Sequence, residues 1–367
     1  METSKSERVA SIDALRGFDM LWIIGGDEII HALSNYTGWG VFVWLSNQLT
    51  HVEWNGFHFY DLIFPLFLFL SGCAMPYSIK VQLDKGVPKA KIYRKIIIRG
   101  LTLVFLGVLN NGLGDWKVQD IRFASVLGQI GIAYCFAAFI FLNTSWKKQI
   151  YWVAGILIGY WGIQTLIPYP GSEAGHFTIQ GSINAFLDRM FVPGKLYLGI
   201  HDPEGLLVKI PATATALLGA LTGSFIKEGK FTPKIKSAYL LGAGLLFVAF
   251  SSLWGIVLPI NKNLWTSSFT IHTAGWSLIF LSIFYFLVDA IGYKKYAFFF
   301  IVIGMNPITI YLASSLVNFG YTTNYIFGGF IAFFSTALQP VLLGCFIVAI
   351  KWIALHFMYK RKIFLKI

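Results

Sequence analysis

Apolar stretches of about 18 to 25 residues recur along the whole chain, and they constrain the fold more than any other feature. Each stretch is long enough to cross a hydrocarbon core of roughly 30 Å as an α-helix. Of the 367 residues, 56% are hydrophobic and 13% are charged, whereas a soluble domain has roughly 25% charged residues. We therefore predict an all-α integral membrane protein.

The apolar pattern predicts a polytopic bundle of about ten transmembrane helices, in one domain over residues 1–367. No linker, low-complexity segment or convincing internal repeat divides it. Residues 321–335 are also apolar, but they are few and interrupted by glycine. Whether they cross, re-enter or lie at the interface is left open, and an eleventh crossing with it. The predicted spans are 14–33, 60–79, 96–113, 125–143, 150–167, 210–226, 237–260, 267–291, 297–318 and 336–359.

The loops between these spans differ sharply in charge. Of the 29 basic residues, 21 lie in alternate loops and at the two termini, and only six lie in the other loops. The positive-inside rule then places both termini in the cytoplasm, so the net charge of +12 reflects topology and no nucleic acid is expected as a partner. The longest loop, 168–209, is external, and its segment INAFLDRMF has helical spacing suited to the membrane surface. The six external basic residues are Lys117, Arg122, Arg189, Lys195, Lys209 and Lys262.

Polar residues at the helix entrances are the informative ones, because each is costly in a bilayer and usually faces a cavity or a partner. Five groups are present, and the predicted orientation makes all of them external. They are Asp27, Glu28 and His31; His51, Glu53, Trp54, Asn55, His58 and Asp61; Arg122 and Gln129; His201, Asp202 and Glu204; and Asn261, Lys262, Asn263, Trp265 and Ser268.

Two interpretations of these groups stand side by side. External loops are polar simply because they face water, or loops distant in sequence meet to form one polar pocket, which is the usual form of a site. The clustering of histidine, tryptophan and carboxylates favours the pocket. His51 and His58 suggest no third ligand, and Cys73, Cys135 and Cys345 lack metal-ligand spacing, so no metal is expected.

Several motifs together resemble the heparan-alpha-glucosaminide N-acetyltransferase family and its bacterial members. They are VASIDALRGFDM, HVEWNGFHFYDLIFPLFLFLSG, IRFASVLGQIGIAY, DPEGLL, NKNLW and GMNPITIY, from residue 9 to about residue 311. The resemblance implies a transmembrane acyltransferase in a bacterial inner membrane. Acetyl-CoA would approach from the cytoplasm, and its acetyl group would pass to the amine of glucosamine or a terminal glucosaminide outside.

The resemblance also implies roles for particular residues. His51 matches the family's catalytic histidine, and Asp27 falls where the human member has an asparagine thought to assist. The residue type differs at Asp27, where an aspartate can hold an acceptor or orient His51. For the acceptor we predict Trp54, Asn55, Asp61, Arg122, Gln129, Asp202, Glu204, Asn263 and Trp265. For the phosphates of acetyl-CoA the candidates are Lys91, Arg94, Lys95 and Arg99.

The chemistry leaves two paths open. A neutral imidazole at His51 can accept the proton of the attacking amine, or it can carry the acetyl group itself. Asn55 or backbone N–H groups are candidates for stabilising the oxyanion. Other functions also stay open: an amino-sugar transporter, or an acyltransferase acting on another cell-envelope sugar. Whether the chain forms a homodimer is left open as well.

Overall fold

The computed structural model describes residues 9–112, 120–169, 171 and 175–365, and every element named among them is helical. Residue 113, which ends the third predicted span, lies outside this part, as do Lys5, Arg8, Lys117 and Lys366 of the basic residues counted above. The first eight α-helices are α1 (Ala10–Leu21), α2 (Asp27–Thr37), α3 (Gly40–Gln48), α4 (Ile63–Cys73), α5 (Met75–Asp84), α6 (Lys89–Gly112), α7 (Val126–Asn143) and α8 (Trp146–Leu166). The second eight are α9 (Ile183–Phe191), α10 (Lys209–Lys227), α11 (Pro233–Trp254), α12 (Ser267–Tyr285), α13 (Phe298–Gly304), α14 (Pro307–Leu316), α15 (Phe319–Ile331) and α16 (Gln339–Lys360). The predicted all-α class is confirmed.

Five helical stretches among the described residues are long and apolar enough to cross a bilayer. They are Phe59–Asp84, Val126–Asn143, Pro233–Trp254, Ser267–Ala290 and Gln339–Lys360. Helices α13 and α14 make a sixth if the 71° bend between them lies within one span. The membrane class of the chain rests on these helices, while the count of ten crossings and the cytoplasmic termini stay predictions.

The first predicted span is interrupted where its two glycines lie. A π-helical segment, Trp22–Gly26, separates α1 from α2, and Gly25 within it has a φ of +123°. A side chain at that φ would be strained, so glycine is the suitable residue there. The ammonium of Lys351 on α16 donates to the carbonyl oxygen of Ile24 at 2.9 Å, beside this break. The break makes Asp27 the first residue of α2.

Small residues allow the central helices to approach closely, as they commonly do in membranes. On α4 and α10, Cβ atoms at Gly72, Gly219 or Gly223 would overlap the backbone of the facing helix. On α1 and α13, Gly17 and Gly304 pack against each other's helix in the same way. These contacts hold α4 against α10 and α1 against α13, and segments of the site directly precede α4 and α10.

Candidate active site

A cavity of about 400 Å³ lies where four of the five polar sequence groups meet. Its walls come from the segment before α4, the entrance of α7, the loop before α10 and the loop between α11 and α12. The polar residues that line it are His51, Glu53, Tyr60, Asp61, Arg122, Tyr197, Glu204, Lys262, Asn263 and Tyr311. The structure thus brings together residues that are far apart in sequence, as the pocket interpretation requires.

His51 and Asp61 form a hydrogen-bonded pair at the wall of this cavity. The Nδ1 atom of His51 lies 2.7 Å from Oδ1 of Asp61, and the exposed fraction of the side chain is 50% for His51 and zero for Asp61. The second oxygen of Asp61 accepts the N–H of His58 at 3.0 Å, which caps the 3₁₀ turn Phe59–Leu62. A carboxylate can only accept, so Nδ1 of His51 carries the proton and Nε2 is the basic nitrogen.

Lys262 lies against the same pair. Its Nζ is 3.0 Å from each ring nitrogen of His51 and 3.6 Å from Oδ1 of Asp61. Burial lowers the pKa of the Lys262 ammonium below its usual value, although the charges of Asp61 and Glu204 act in the opposite direction. In the sequence, Lys262 belongs to an external polar group and has no predicted role. The structure adds it to the site because the loop after α11 folds back onto His51.

Arg122 forms an ion cluster with two carboxylates at the wall of the cavity. Its Nε and Nη2 donate to the two oxygens of Asp202 at 2.8 and 2.6 Å, and Nη2 also contacts the carboxylate of Glu204. Burial would raise the pKa of the Asp202 carboxyl, but the hydrogen bonds from Arg122 outweigh it and lower that pKa. Burial raises the pKa of Glu204, and the charge of Arg122 does not fully offset it. Asp202 is therefore the carboxylate that Arg122 holds most firmly.

Helix α9 packs against the loop that carries Asp202 and Glu204 and holds it through Asp188. The buried carboxylate of Asp188 accepts the N–H of Asp202 at 3.2 Å and that of Leu206 at 3.0 Å. Gly205 lies so close to this carboxylate that any side chain would overlap it. The predicted segment INAFLDRMF is thus a helix as expected, and its buried face supports the site. Asp188 was missed, although a carboxylate between apolar residues of an amphipathic segment could have indicated it.

Three predicted acceptor residues hold loops together instead of lining the cavity. The indole N–H of Trp54 donates to the carbonyl of Phe177 at 2.5 Å. The Asn261 amide donates to the side-chain oxygen of Asn55 at 2.9 Å. Trp265 is 1% exposed, and its ring lies edge-on to Phe64, with 4.9 Å between centroids. Phe64 in turn lines the cavity.

Asp27 also lies outside the cavity lining, but it contacts Tyr60, which lines the cavity. The hydroxyl of Tyr60 donates to Oδ2 of Asp27 at 2.9 Å. The Tyr60 ring in turn packs on the His51 imidazole, with 4.8 Å between the ring centroids. The structure therefore links both predicted catalytic residues through Tyr60, a residue that the sequence analysis did not single out.

A second cavity, of about 390 Å³, lies between α5, α6 and α7. Lys95 and Arg99 line it, whereas Arg94 and Lys91 do not. The Lys95 ammonium donates to the side chain of Gln82 at 2.6 Å, and the Arg99 guanidinium stacks over the Tyr134 ring at 4.3 Å. Two of the four predicted phosphate-binding residues thus share one opening.

Helix α7 runs from the first cavity to the second. Val126 lines the first cavity and Tyr134 the second, and eight residues of helix span about 12 Å. Gln129 lies between them, is fully buried, and both polar atoms of its amide have no hydrogen-bond partner among the described residues. A buried amide left without a partner costs roughly 1–3 kcal/mol, so this position suits a bound polar group.

Comparison with known proteins gives one consistent answer. A family model described as a domain of unknown function (DUF5009) matches residues 8–180. The human heparan-alpha-glucosaminide N-acetyltransferase is 25% identical over 420 aligned positions, which cover 98% of this chain and 60% of the human protein. The mouse enzyme of the same name is 24% identical over 424 positions, covering 99% of this chain and 61% of the relative. The chain is a distant homologue of heparan-alpha-glucosaminide N-acetyltransferase.

The resemblance expected from the motifs is therefore confirmed, and the chain spans about 60% of the length of the curated relatives it matches. The site has groups that an N-acetyltransferase can use. An imidazole oriented by a carboxylate can accept a proton or an acyl group. Within the described part of the chain, no three His, Cys, Asp or Glu side chains lie close enough to hold a metal ion.

Proposed function

We propose that this protein is a membrane acetyltransferase that moves the acetyl group of acetyl-CoA to the amine of glucosamine or a terminal glucosaminide. One observation carries the proposal: the basic nitrogen of a carboxylate-oriented His51 lies in a polar cavity, in a chain whose relatives are named N-acetyltransferases. A bacterial inner membrane location, with the acceptor outside and the donor in the cytoplasm, belongs to the same proposal.

His51 acts on the proton of the acceptor. The amine nitrogen attacks the thioester carbonyl carbon, a C–N bond forms, and the C–S bond breaks. The Nε2 atom accepts the proton that the amine loses, and the departing sulfur takes that proton. In the two-step path, Nε2 attacks the thioester carbonyl carbon first, the C–S bond breaks, and CoA leaves as the thiolate. The amine then attacks the acetyl-imidazole and the bond from the acetyl carbon to Nε2 breaks. Nε2 accepts the proton that the amine loses, and this proton passes to the thiolate. Acetyl-His51 detected by peptide mass spectrometry, with the acceptor withheld, would distinguish the second path from the first.

The acceptor is recognised by other polar residues that line the cavity of His51. Glu204 and Asn263 line the cavity and present oxygens and an amide to sugar hydroxyls and to an ammonium group. Arg122 also lines the cavity, and together with Asp202 it holds Glu204 in place. A buried site built to hydrogen-bond a particular group rejects analogues that lack it. We therefore expect glucosamine to be preferred over glucose-derived alcohols and over simple alkyl amines.

The donor occupies the path along α7. Lys95 and Arg99 in the second cavity bind the phosphates of CoA, with Arg94 outside the opening as a weaker contact. The flexible arm of the donor follows α7 toward Val126, and the unpartnered amide of Gln129 hydrogen-bonds to an amide of that arm. The acetyl carbonyl then arrives beside His51.

The test uses the purified full-length protein with acetyl-CoA and glucosamine, following thiol release and the mass of the acetylated sugar. We expect acetyl transfer, and a loss of about 10² to 10⁴ in rate for His51→Ala. His58 is the matched control, because it is not among the described residues that line the cavity and its Nδ1 bonds to the carbonyl of Thr50 at 3.0 Å. His58→Ala should be the milder change. Glucosamine uptake without thiol release would instead support a transporter and contradict the proposal.

Sidedness is tested in sealed vesicles of known orientation. Acetyl-CoA supplied at the side of the Lys95 and Arg99 cavity should support transfer to glucosamine supplied at the side of His51. Transfer that needs both substrates on one side would contradict the transmembrane path. Competition between glucosamine and other amino sugars in the same vesicles identifies the acceptor.

A further inference from the structure

The position of Lys262 over His51 is not explained by a simple hydrogen bond. Its Nζ is equally distant, 3.0 Å, from both ring nitrogens. The lone pairs of an imidazole lie in the ring plane and diverge, and Cε1 lies between the two nitrogens. An atom 3.0 Å from both cannot lie in that plane without colliding with Cε1. The ammonium therefore lies over the face of the ring and keeps its own N–H groups available.

The loop around Lys262 is rigid enough to hold this position. The side-chain oxygen of Asn261 accepts the N–H of Leu264 at 2.8 Å, and the Asn261 amide bonds to Asn55. The N–H of Thr266 donates to the carbonyl of Asn261 at 3.2 Å, which closes the turn. The Lys262 side chain is 15% exposed. The hydrogen bonds of the loop therefore fix the backbone of Lys262, and its side chain is largely buried in the cavity wall.

Lys262 differs from Arg122, which also lines the cavity, in how closely carboxylates bind it. Arg122 is bound by two carboxylates, whereas the closest carboxylate oxygen to Lys262 Nζ is that of Asp61 at 3.6 Å. No hydrogen bond from Lys262 to a carboxylate closer than that is present among the described residues, so its N–H groups can donate to a bound molecule. The other titratable groups that line the cavity around it are His51, Glu53, Asp61, Arg122 and Glu204, with the phenols of Tyr60, Tyr197 and Tyr311.

We propose that Lys262 is a further catalytic residue, whose ammonium binds the carbonyl oxygen of the acetyl group as that oxygen gains negative charge. Reacting atoms in a near-attack arrangement are about 3 to 3.5 Å apart. A carbonyl carbon at that distance from Nε2 has its oxygen within reach of an ammonium 3.0 Å from the same nitrogen. The charge is present in the transition state and not in the thioester, so the contact lowers the barrier. This inference rests on the proposed acetyl transfer.

The alkaline side of the pH profile gives a specific signature. Because burial lowers the pKa of Lys262, the ammonium is lost at a lower pH than an ordinary lysine would lose it. The acceptor amine only becomes a better nucleophile as pH rises, so it cannot cause an alkaline decline in rate. An arginine keeps its charge across this range.

The experiment compares Lys262→Met, Lys262→Arg and the exposed-lysine control Lys195→Met in the purified full-length protein, measuring kcat, KM and the profile from pH 6 to 10. We expect Lys262→Met to lower kcat and kcat/KM together by about 10² to 10³, which indicates an interaction made in the transition state. Lys262→Arg should keep more activity and lose the alkaline decline of the parent protein. Lys195→Met should match the parent.

Each outcome decides the proposal. An active parent with Lys262→Met within about threefold of its kcat overturns the role of Lys262 while leaving the proposed function intact. The same alkaline decline in Lys262→Arg and the parent overturns it too, and this comparison holds even if Lys262→Met fails to fold. A parent that releases no thiol from acetyl-CoA overturns the proposed function and this inference together.

Discussion

The carboxylate of Asp61 bonds to the Nδ1 atom of His51 at 2.7 Å through one oxygen, and caps the 3₁₀ turn at His58 through the other. The same side chain therefore fixes where the helical span begins and which nitrogen of the imidazole is basic. Ten residues of chain separate the two partners, and the intervening loop brings them back together. This dual use makes Asp61 the first residue to test beside His51.

Asp61→Asn should preserve the fold and remove most of the activity. The asparagine oxygen can still accept the N–H of His58, and its NH₂ group then faces Nδ1 of His51. That arrangement forces the proton onto Nε2, the nitrogen needed as base. In Ser-His-Asp enzymes the equivalent change lowers kcat roughly 10⁴-fold. Thermal unfolding in detergent and kcat are measured together, and a stable variant with near-parent kcat would contradict the tautomer assignment.

Asp27→Asn should have a small effect on activity. The hydroxyl of Tyr60 donates to Oδ2 of Asp27, and an asparagine oxygen can accept the same bond. Asp27→Ala and Tyr60→Phe each remove it, so both should lower kcat more than Asp27→Asn. A hydrogen bond to a charged group contributes about 1.5–3 kcal/mol, which corresponds to roughly a ten- to 150-fold change. If Asp27→Asn is as inactive as Asp27→Ala, the negative charge of Asp27 is required.

Part of the site could be predicted because polar residues at helix entrances stand out against apolar spans. His51, Asp61, Arg122, Glu204 and Asn263 were selected on that basis, and all five line the cavity. The pattern shows which residues are unusual in a membrane. It does not show which way a side chain points.

The rest depended on how distant segments pack. Trp265 belongs to a polar loop, but its backbone has a φ of +44° and its ring lies in the core. Lys262, three residues earlier, contacts His51, which is 211 residues away in sequence. Asp188 and Tyr60 gain their roles from contacts with other segments. Loop folding of this kind leaves no periodic signal in the sequence, so local patterns could not assign these roles.

The two carboxylates that share Arg122 should respond oppositely to neutralisation. Asp202→Asn breaks a buried ion pair, which typically costs 3–5 kcal/mol of the free energy of unfolding. Glu204→Gln removes a buried charge that Arg122 only partly compensates. We therefore expect this variant to leave the free energy of unfolding unchanged or to increase it near pH 7. Unfolding measured in detergent against pH compares the two variants.

The pH dependence follows from the direction of each pKa shift. The pKa of Asp202 is lowered by its bonds to Arg122 despite burial, so its contribution is present above its usual value of 3.8 and is lost as pH falls through the folded pKa. The pKa of Glu204 is raised by burial, so stability is lost as pH rises from 4.5 through the folded pKa. Equal, pH-independent effects of Asp202→Asn and Glu204→Gln would contradict this difference.

Gly17, in the motif DALRG, should not tolerate a side chain. A Cβ atom there would overlap the carbonyl of Phe300 on α13, and overpacking typically costs 1–3 kcal/mol. Gly159 on α8 is the matched control, since a Cβ atom there meets nothing within 4 Å. Gly17→Ala should lower the thermal midpoint, whereas Gly159→Ala should leave it unchanged or raise it slightly, because alanine favours a helix over glycine by roughly 0.5–1 kcal/mol. Equal midpoints for the two variants would mean that α1 and α13 can separate freely.

Lys351 should stabilise the break in the first span that determines where α2 begins. Its ammonium is buried on α16, donates to the carbonyl of Ile24 at 2.9 Å, and lies 5.0 Å from the centroid of the Phe319 ring. Lys351→Met keeps a similar shape but takes away this partner of the Ile24 carbonyl. We expect a loss of about 1–3 kcal/mol in the free energy of unfolding. Because Asp27 begins α2 directly after the break, we also expect a lower kcat.

The control for Lys351→Met is Lys360→Met, an exposed lysine at the end of the same helix. Removing a charge there leaves the Ile24 carbonyl with its partner, so both stability and kcat should match the parent. Chemical unfolding in detergent and acetyl transfer are measured for both variants. If Lys351→Met and Lys360→Met unfold at the same denaturant concentration, the bond to Ile24 does not hold the break. A loss of stability in Lys351→Met without loss of kcat would mean that the break does not position Asp27 for catalysis.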